Sequence, residues 1–480
     1  MAIHRIGAAG RLATAWALLC SLAFAEDRDA ALREQALDAM RRAATYYRET
    51  VAVHGGYVYY YSLDLSERLG EGKASPTQVW VQPPGTPTVG MAYLAAYRAT
   101  KDKWYLDAAR ETAGALVYGQ LVSGGWTYAI DFDPQSKLAG NYRNGRGQRK
   151  GRNNSSLDDN TTQSALRLVM QVDRALDFKD QEIHQAAKTA LDALLAAQFA
   201  NGGFPQSWTG PAAEQPIVKA GFPDYDWRTE RRVKEYWTLY TLNDGLAGDV
   251  TDALSDALAI YDDERCRRAL IKLGDFLVLA QLPEPQPAWA QQYDYAMHPA
   301  WARKFEPPAV TGGESQDAIE TLLKIYRLTG DEKYLAPIPK ALAYLKASRL
   351  PDGQLARFYE LETNKPLYMT KDYRLTYDDS DLPTHYGFKI GSQKLDQLER
   401  QLAQLKVSPH DSNAGSVSKP TARVREILAQ LDDQGRWVTA ATGDRITGQP
   451  KFSKGQSFIS SAVFARNLET LGRYVEAAER

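Results

Sequence analysis

A short turn recurs along this chain, and each time it follows a helical stretch. The chain reads H-G-G-Y at 54–57 after a helical pattern at 30–50, G-G-W at 124–126 after 103–121, and N-G-G-F-P-Q at 201–206 after 180–200. It reads D-G-Q at 352–354 after 331–349 and Q-G-R-W at 434–437 after 421–431, with a weaker echo, P-A-W, at 287–289 after 264–282. The turns are about 65 to 85 residues apart, which is room for two helices and two loops. Within each interval apolar residues return at three and four positions, and no long alternation of a strand competes. The stretches Y-L-A-A-Y-R-A-T-K-D-K-W-Y-L-D-A-A-R and L-L-K-I-Y-R-L-T-G-D-E-K-Y-L-A-P-I share one layout, helix, T-[KG]-D turn, helix. Asp102 and Asp331 suit N-caps there, and the glycines suit left-handed C-caps. The expected fold is therefore all-α, with repeated helical hairpins closing into an α/α toroid (an incomplete α/α barrel). Long Pro- and Gly-containing loops at 55–88, 127–155, 207–237, 284–312 and 351–385 are expected to wall a cleft, and 407–420 to be a connector.

The first 25 residues read as an export signal. Arg5 and Arg11 make a basic start, Leu12 to Phe24 is mostly apolar, and Ala23-Phe24-Ala25 offers small residues for cleavage. The expected location is secreted or periplasmic after cleavage near Ala25. Removal of that segment leaves Cys266 as the only cysteine, so stability has to come from a packed core rather than an internal disulfide. The expected division is 1–25 signal, 26–150 N-terminal hairpins and 151–480 catalytic helical domain. The near balance of 58 Lys+Arg against 59 Asp+Glu speaks against nucleic acid or a membrane surface as partner; a monomer is expected. With 27 Tyr and 10 Trp, an exported protein has many flat faces suited to sugar rings, although most will serve the core.

Nucleophile motifs are missing: there is no G-x-S-x-G and no H-E-x-x-H. The chemistry has to run on carboxylates, arginines and a hard metal ion. Asp158, Asp159 and Asn160 lead into a helix in S-S-L-D-D-N-T-T, and Asn243 and Asp244 do the same in Y-T-L-N-D-G-L-A. Capping explains either cluster taken alone; together they supply the oxygen ligands that Ca²⁺ uses. The basic candidates are Arg303 and Lys304 in W-A-R-K-F-E-P-P-A-V-T-G-G-E-S, Arg357 in L-A-R-F-Y-E, and Lys365 in E-T-N-K-P-L-Y. Arg303 sits in a helix break too rich in Pro and Gly to be a plain linker, and a guanidinium there suits a carboxylate-bearing sugar.

The blocks W-A-Q-Q-Y-D…W-A-R-K-F-E-P-P-A-V-T-G-G-E-S and A-R-F-Y-E-L-E-T-N-K-P-L-Y resemble the all-helical pectic acid lyase (pectate lyase) family. S-S-L-D-D-N-T-T, N-G-G-F-P-Q, Y-T-L-N-D-G and L-D-D-Q-G-R-W-V fall in the matching order, over roughly 150–440. The resemblance implies Ca²⁺-assisted β-elimination on polygalacturonate, releasing unsaturated oligogalacturonides, with an arginine base. By position that base is Arg303. The same matching assigns Asp158 and Asp244 to the metal, with Asp159 and Asn243 as second choices, and Lys304, Arg357 and Lys365 to uronate carboxylates. Trp126, Trp208 and Tyr293 are expected as sugar platforms or core residues.

One stretch departs from the family. A dibasic segment is expected before a Gly-Tyr turn, and D-D-S-D-L-P-T-H-Y-G-F (378–388) stands there instead, with His385. Arg228, Arg231 and Arg232 in the charged stretch 218–238 are candidate replacements. Two other readings stay open on the sequence. One is a glycoside hydrolase, recruiting two of Glu306, Glu314 and Glu360; the other is a non-catalytic binder of acidic polysaccharide.

Overall fold

In the repeated turn the first glycine adopts a left-handed backbone: φ is +80° at Gly55, +97° at Gly124, +94° at Gly202, +80° at Gly353 and +81° at Gly435. At Gly202 a β-carbon would stand 1.8 Å from the Lys272 carbonyl oxygen, so only glycine lets the turn rest on the neighbouring helix backbone. The protein is described from a computed structural model over residues 29–147, 151, 153–229, 233–407, 421–443 and 452–478. The export segment, Arg231, Arg232 and the connector from 408 onward lie outside the described residues.

Twelve α-helices alternate between two layers among the described residues. They are α1 (29–46), α2 (Thr86–Thr100), α3 (Lys103–Gly119), α4 (Thr161–Ala175), α5 (Gln181–Ala196) and α6 (Leu246–Tyr261). The rest are α7 (Glu264–Ala280), α8 (Gly312–Thr329), α9 (Ile338–Ala347), α10 (Gln393–Val407), α11 (Thr421–Ala429) and α12 (Ser461–Ala478). One row of helices packs in the order α12, α2, α4, α6, α8, α10. Helices α3, α5, α7 and α9 each pack on the row helix before them. The expected N-caps hold: Asp102 accepts from the Trp104 amide and Asp331 from the Lys333 amide. Asp180 and Asp263 repeat the device at α5 and α7. The C-cap of α8 is Gly330 at φ 70°, as read, whereas Lys101 and Asp262 take the left-handed position after α2 and α6.

Short strands, which the sequence reading did not anticipate, tie the ends of each hairpin. Ala129–Asp131, after α3, pairs with Gln78–Trp80, before α2. Ser207–Trp208 pairs with Ser155–Ser156, Gln292–Tyr293 with Tyr240–Thr241, and Phe358–Tyr359 with Val310–Thr311. All are antiparallel and two or three residues long, too short to print an alternating pattern in the sequence. The same rule joins the chain's two ends, because Tyr60–Ser62, after α1, pairs with Ser457–Ser460, before α12.

Three of the turns also grip the next outer helix through a glutamine. The Gln120 carboxamide donates to Gly124 O of its own turn and to Ala186 O on α5. Gln198 does the same to Gly202 O and Ala269 O, and Gln281 to Pro287 O and Pro337 O. The turn indoles repeat too: Trp126, Trp289 and Trp437 donate to Leu116 O, Leu277 O and Ile427 O of the preceding helices. A single apolar cluster runs from Leu32 to Val475 through all these contacts. No helix among the described residues is long and apolar enough to cross a membrane.

The turn geometry makes a graded prediction. Gly202→Ala combines left-handed strain of about 1–2 kcal/mol with a clash against the Lys272 carbonyl. Gly353→Ala carries only the strain, since no atom lies within 4 Å of its added carbon. Thermal unfolding should show a clearly lower Tm for Gly202→Ala than for Gly353→Ala; equal losses would discredit the close-approach argument.

Candidate active site

The row helices α4, α6 and α8 begin at one end of the fold, and their entry loops meet there. Two of those loops are copies. Leu157-Asp158-Asp159-Asn160 before α4 and Leu242-Asn243-Asp244-Gly245 before α6 share backbone angles, with Asp159 at φ 47°, ψ 40° and Asp244 at φ 51°, ψ 37°. Aspartate enters the left-handed region more readily than most residues, and what marks these two loops is that the whole four-residue conformation is repeated. The side chains of Asp159 and Asp244 are thereby turned away from ordinary capping; neither Asn160 nor Gly245 makes a side-chain cap. Carboxylate oxygens of Asp158, Asp159 and Asp244 lie within 4.8 Å of one another, at helix N-termini whose field favours anions.

Three carboxylates held this close repel one another. Burial, then Asp159 and Asp158, push Asp244 up to about 7. Burial, then Asp158 and Glu71, push Asp159 up to about 6. Arg303 offsets part of this charge: its Nη2 is 3.6 Å from Asp244 and 3.8 Å from Asp158. Its Nε donates to Glu306 at 3.1 Å, and Glu306 also accepts from the Arg303 backbone N–H at 2.8 Å. Burial works against the guanidinium charge, but Glu306, Asp158 and Asp244 outweigh it and hold Arg303 above its usual range.

A second arginine stands behind the first. Arg357 Nε donates to Gly387 O and its Nη1 to the Tyr386 hydroxyl, while Glu314 lies 3.8 Å from Nη1. Tyr386 in turn donates to Glu306 at 3.0 Å, so the two arginines are linked through one phenol and one buried carboxylate. Sequence reading missed Tyr386 and the seat that Glu306 provides. The partners of Tyr386 do sit at matching places after the turns, Gln291 two residues after Trp289 and Arg357 two after Leu355, and both reach its hydroxyl.

The structure brings Arg303, Asp158, Asp159, Asn243 and Asp244 together, with Arg357 behind them. Lys304 is exposed, with its ammonium 3.7 Å over the Tyr373 ring. Lys365 is exposed over Tyr377, whose hydroxyl bonds Glu360. The platform reading of Trp126, Trp208 and Tyr293 is corrected: they are 0%, 5% and 0% exposed and belong to the core. Their rings sit at repeat positions that point into the hairpin, where the Tyr293 hydroxyl donates to Ala280 O and accepts from the Ala290 amide. Arg228 is no spare cation either, because it is paired with the buried Glu360. His385 packs edge-on against Phe305 rather than taking a cationic place beside Arg303.

The donor set fits a hard cation. The side chains that could serve as ligands present oxygen, and Asp158 Oδ1 and Asn243 Oδ1 are buried with no hydrogen-bond partner. Unsatisfied buried oxygens are costly unless something fills them, and Ca²⁺ takes six to eight oxygen ligands.

The family model described as pectic acid lyase matches residues 120–324, a span that includes Asp158, Asp159, Asn243, Asp244 and Arg303 and ends before Arg357, Lys365 and Tyr386. A search of curated proteins returned no match. Among solved structures, a variant family 10 polysaccharide lyase from Cellvibrio cellulosa in complex with trigalacturonic acid is 16% identical, with 67% of this chain and 98% of that chain covered at a TM-score of 0.45. A cellobiose 2-epimerase from Bacillus thermoamylovorans B4167 is 12% identical, with 93% and 99% covered at 0.46.

Glu314 carries a pH signature. Burial pushes it from 4.5 up to about 7, with Arg357 pulling the other way. Its folded pKa lies above its unfolded one, so its contribution is full below pH 4.5 and is lost as pH rises through 7. The loss is of order 3 kcal/mol. Glu314→Gln should therefore raise Tm over wild type at pH 8 and by much less at pH 5; an advantage independent of pH would refute the buried-acid account.

Proposed function

We infer that the chain is a polysaccharide lyase, the class its pectic acid lyase segment carries, and that it cleaves polygalacturonate by β-elimination with Arg303 as base. The observation that carries this reading is the convergence of Arg303 with Asp158 and Asp244 at 3.8 and 3.6 Å. An acidic sugar polymer suits the site because its uronate groups are anions meeting guanidinium groups and helix N-termini.

Elimination needs the C5 proton of a galacturonate to become removable while its carboxylate takes up developing charge; the C4–O4 glycosidic bond then breaks, a C4=C5 double bond forms, and the departing oxygen takes the electron pair and a proton. Calcium, held by Asp158, Asp159, Asp244 and Asn243, would supply that neutralisation. Arg303 would face the sugar with its guanidinium seated on Glu306, so its orientation costs nothing at the moment of reaction. Arg303 would accept the proton only in its neutral guanidine form, and of the three carboxylates that keep it charged a cation on Asp158 and Asp244 would relieve two, leaving Glu306. Arg357, steered by Tyr386 and Gly387 O, would hold a second carboxylate.

A hydrolase finds little support. Glu306, Glu314 and Glu360 are 1%, 4% and 1% exposed. Glu360 is held below the usual range, against its burial, by Thr363, Tyr377 and Arg228, the reverse of what a general acid needs. The finer fold reading is an incomplete α/α toroid. It is supported by Tyr60–Ser62 pairing with Ser457–Ser460 and by Gly435, after α11, lying against Arg42 of α1. Export of the chain is inferred from residues 1–25 alone.

Absorbance near 235 nm on polygalacturonate at alkaline pH should rise with calcium and stay flat with chelator. Arg303→Lys and Asp244→Ala should each lower kcat at least a hundredfold in folded protein. Near-wild-type turnover by Arg303→Lys would remove the base assignment, and reducing ends without absorbance would replace the lyase by a hydrolase.

A further inference from the structure

The acidic cluster has a neighbour that the matched span 120–324 does not contain. Gln82 donates through Nε2 to Asp159 at 2.5 Å and to Glu71 at 3.2 Å. Its amino group thus stands between two carboxylates, the place a cation would take. Gln82 is 5% exposed and its Oε1 is buried without a hydrogen-bond partner. A half turn of the carboxamide would exchange the two ends and present Oε1 where Nε2 now stands.

The surrounding backbone is built to hold these two residues in place. Gly70 lies flat on the Trp80 indole, where a β-carbon would come within 2.1 Å of the ring. Its amide donates to Gly72 O, so the turn that carries Glu71 is closed. Gln82 follows Gln78–Trp80, which is paired to Ala129–Asp131, and the Val81 amide donates to Tyr128 O. Glu71 and Gln82 therefore come from two segments, one held by the sheet at the chain ends and one by the α2–α3 hairpin, that meet where Gly70 lies on Trp80. Asp158, Asp159, Asp244 and Asn243 offer four side chains to an ion that takes six to eight oxygens, and a further carboxylate and amide oxygen fit that shortfall.

We propose that Glu71 and Gln82 Oε1 are ligands of a divalent cation shared with Asp159, an arm of the cation site supplied by residues outside the pectic acid lyase segment. The proposal rests on the reading of Asp158, Asp159 and Asp244 as a calcium site.

The test is calorimetric titration of Ca²⁺ into the purified, chelator-treated full chain without polysaccharide. Glu71→Gln and Gln82→Leu should each weaken Kd at least tenfold, and Gln82→Glu should tighten it. Equal melting temperatures in chelator exclude unfolding; if Gln82→Leu does not fold, Glu71→Gln and Gln82→Glu decide. Should Glu71→Gln and Gln82→Leu bind within twofold of wild type while Asp244→Ala has lost binding, the added arm falls and the aspartate site stands. If Asp244→Ala binds as wild type does, or wild type takes up no calcium, both readings fall.

Discussion

Backbone laid directly on backbone sets the geometry of this protein. Gly55 rests against Glu111 of α3, Gly202 against Lys272 of α7 and Gly435 against Arg42 of α1. No side chain separates the turn from the helix, so the spacing between neighbouring hairpins has little freedom. The short strands that follow each turn then run back to the start of the partner helix. The consequence is functional. The entry loops of α4, α6 and α8 are positioned by ladder hydrogen bonds and close contacts, which is what lets a left-handed aspartate persist at each of two entries.

The site is a problem of uncompensated charge. Asp158, Asp159 and Asp244 crowd one another at two helix starts, and among the described residues Arg303 is the cation within ion-pair distance of two of them. The same three contacts that orient Arg303 also keep its proton on, because Glu306, Asp158 and Asp244 outweigh burial. Orientation and basicity pull in opposite directions here. A hard cation on the aspartates would relieve the carboxylate repulsion and two of the three contacts that hold the guanidinium charged.

Much of this was legible in the residues. The turn recurs with its glycine, the T-[KG]-D turns announce their N-caps, and the Arg303 block is marked by the Pro307-Pro308 and Gly312-Gly313 pairs that follow it, although it lies in the loop between α7 and α8 and breaks no helix. The misreadings share a cause. Trp126, Trp208 and Tyr293 were candidate platforms because flat aromatic faces suit sugar rings, yet their repeat positions point inward. Arg228 looked like a spare charge until Glu360, far along the chain, turned out to lie beneath it. Tyr386 and Gln82 carry no motif at all; what makes them notable is whom they touch.

The chain's own order of residues therefore determined the helical repeat, its caps, its glycine turns and the chemistry types at hand, because those depend on neighbours within a few positions. The tertiary structure alone decided which carboxylates share one space, which arginine faces them and which is already spent. Asp158 and Asp244 are 86 residues apart and Glu71 is further still from Arg303. Their meeting is a property of how hairpins pack, and the charge state that follows from it is set by distances no local pattern encodes.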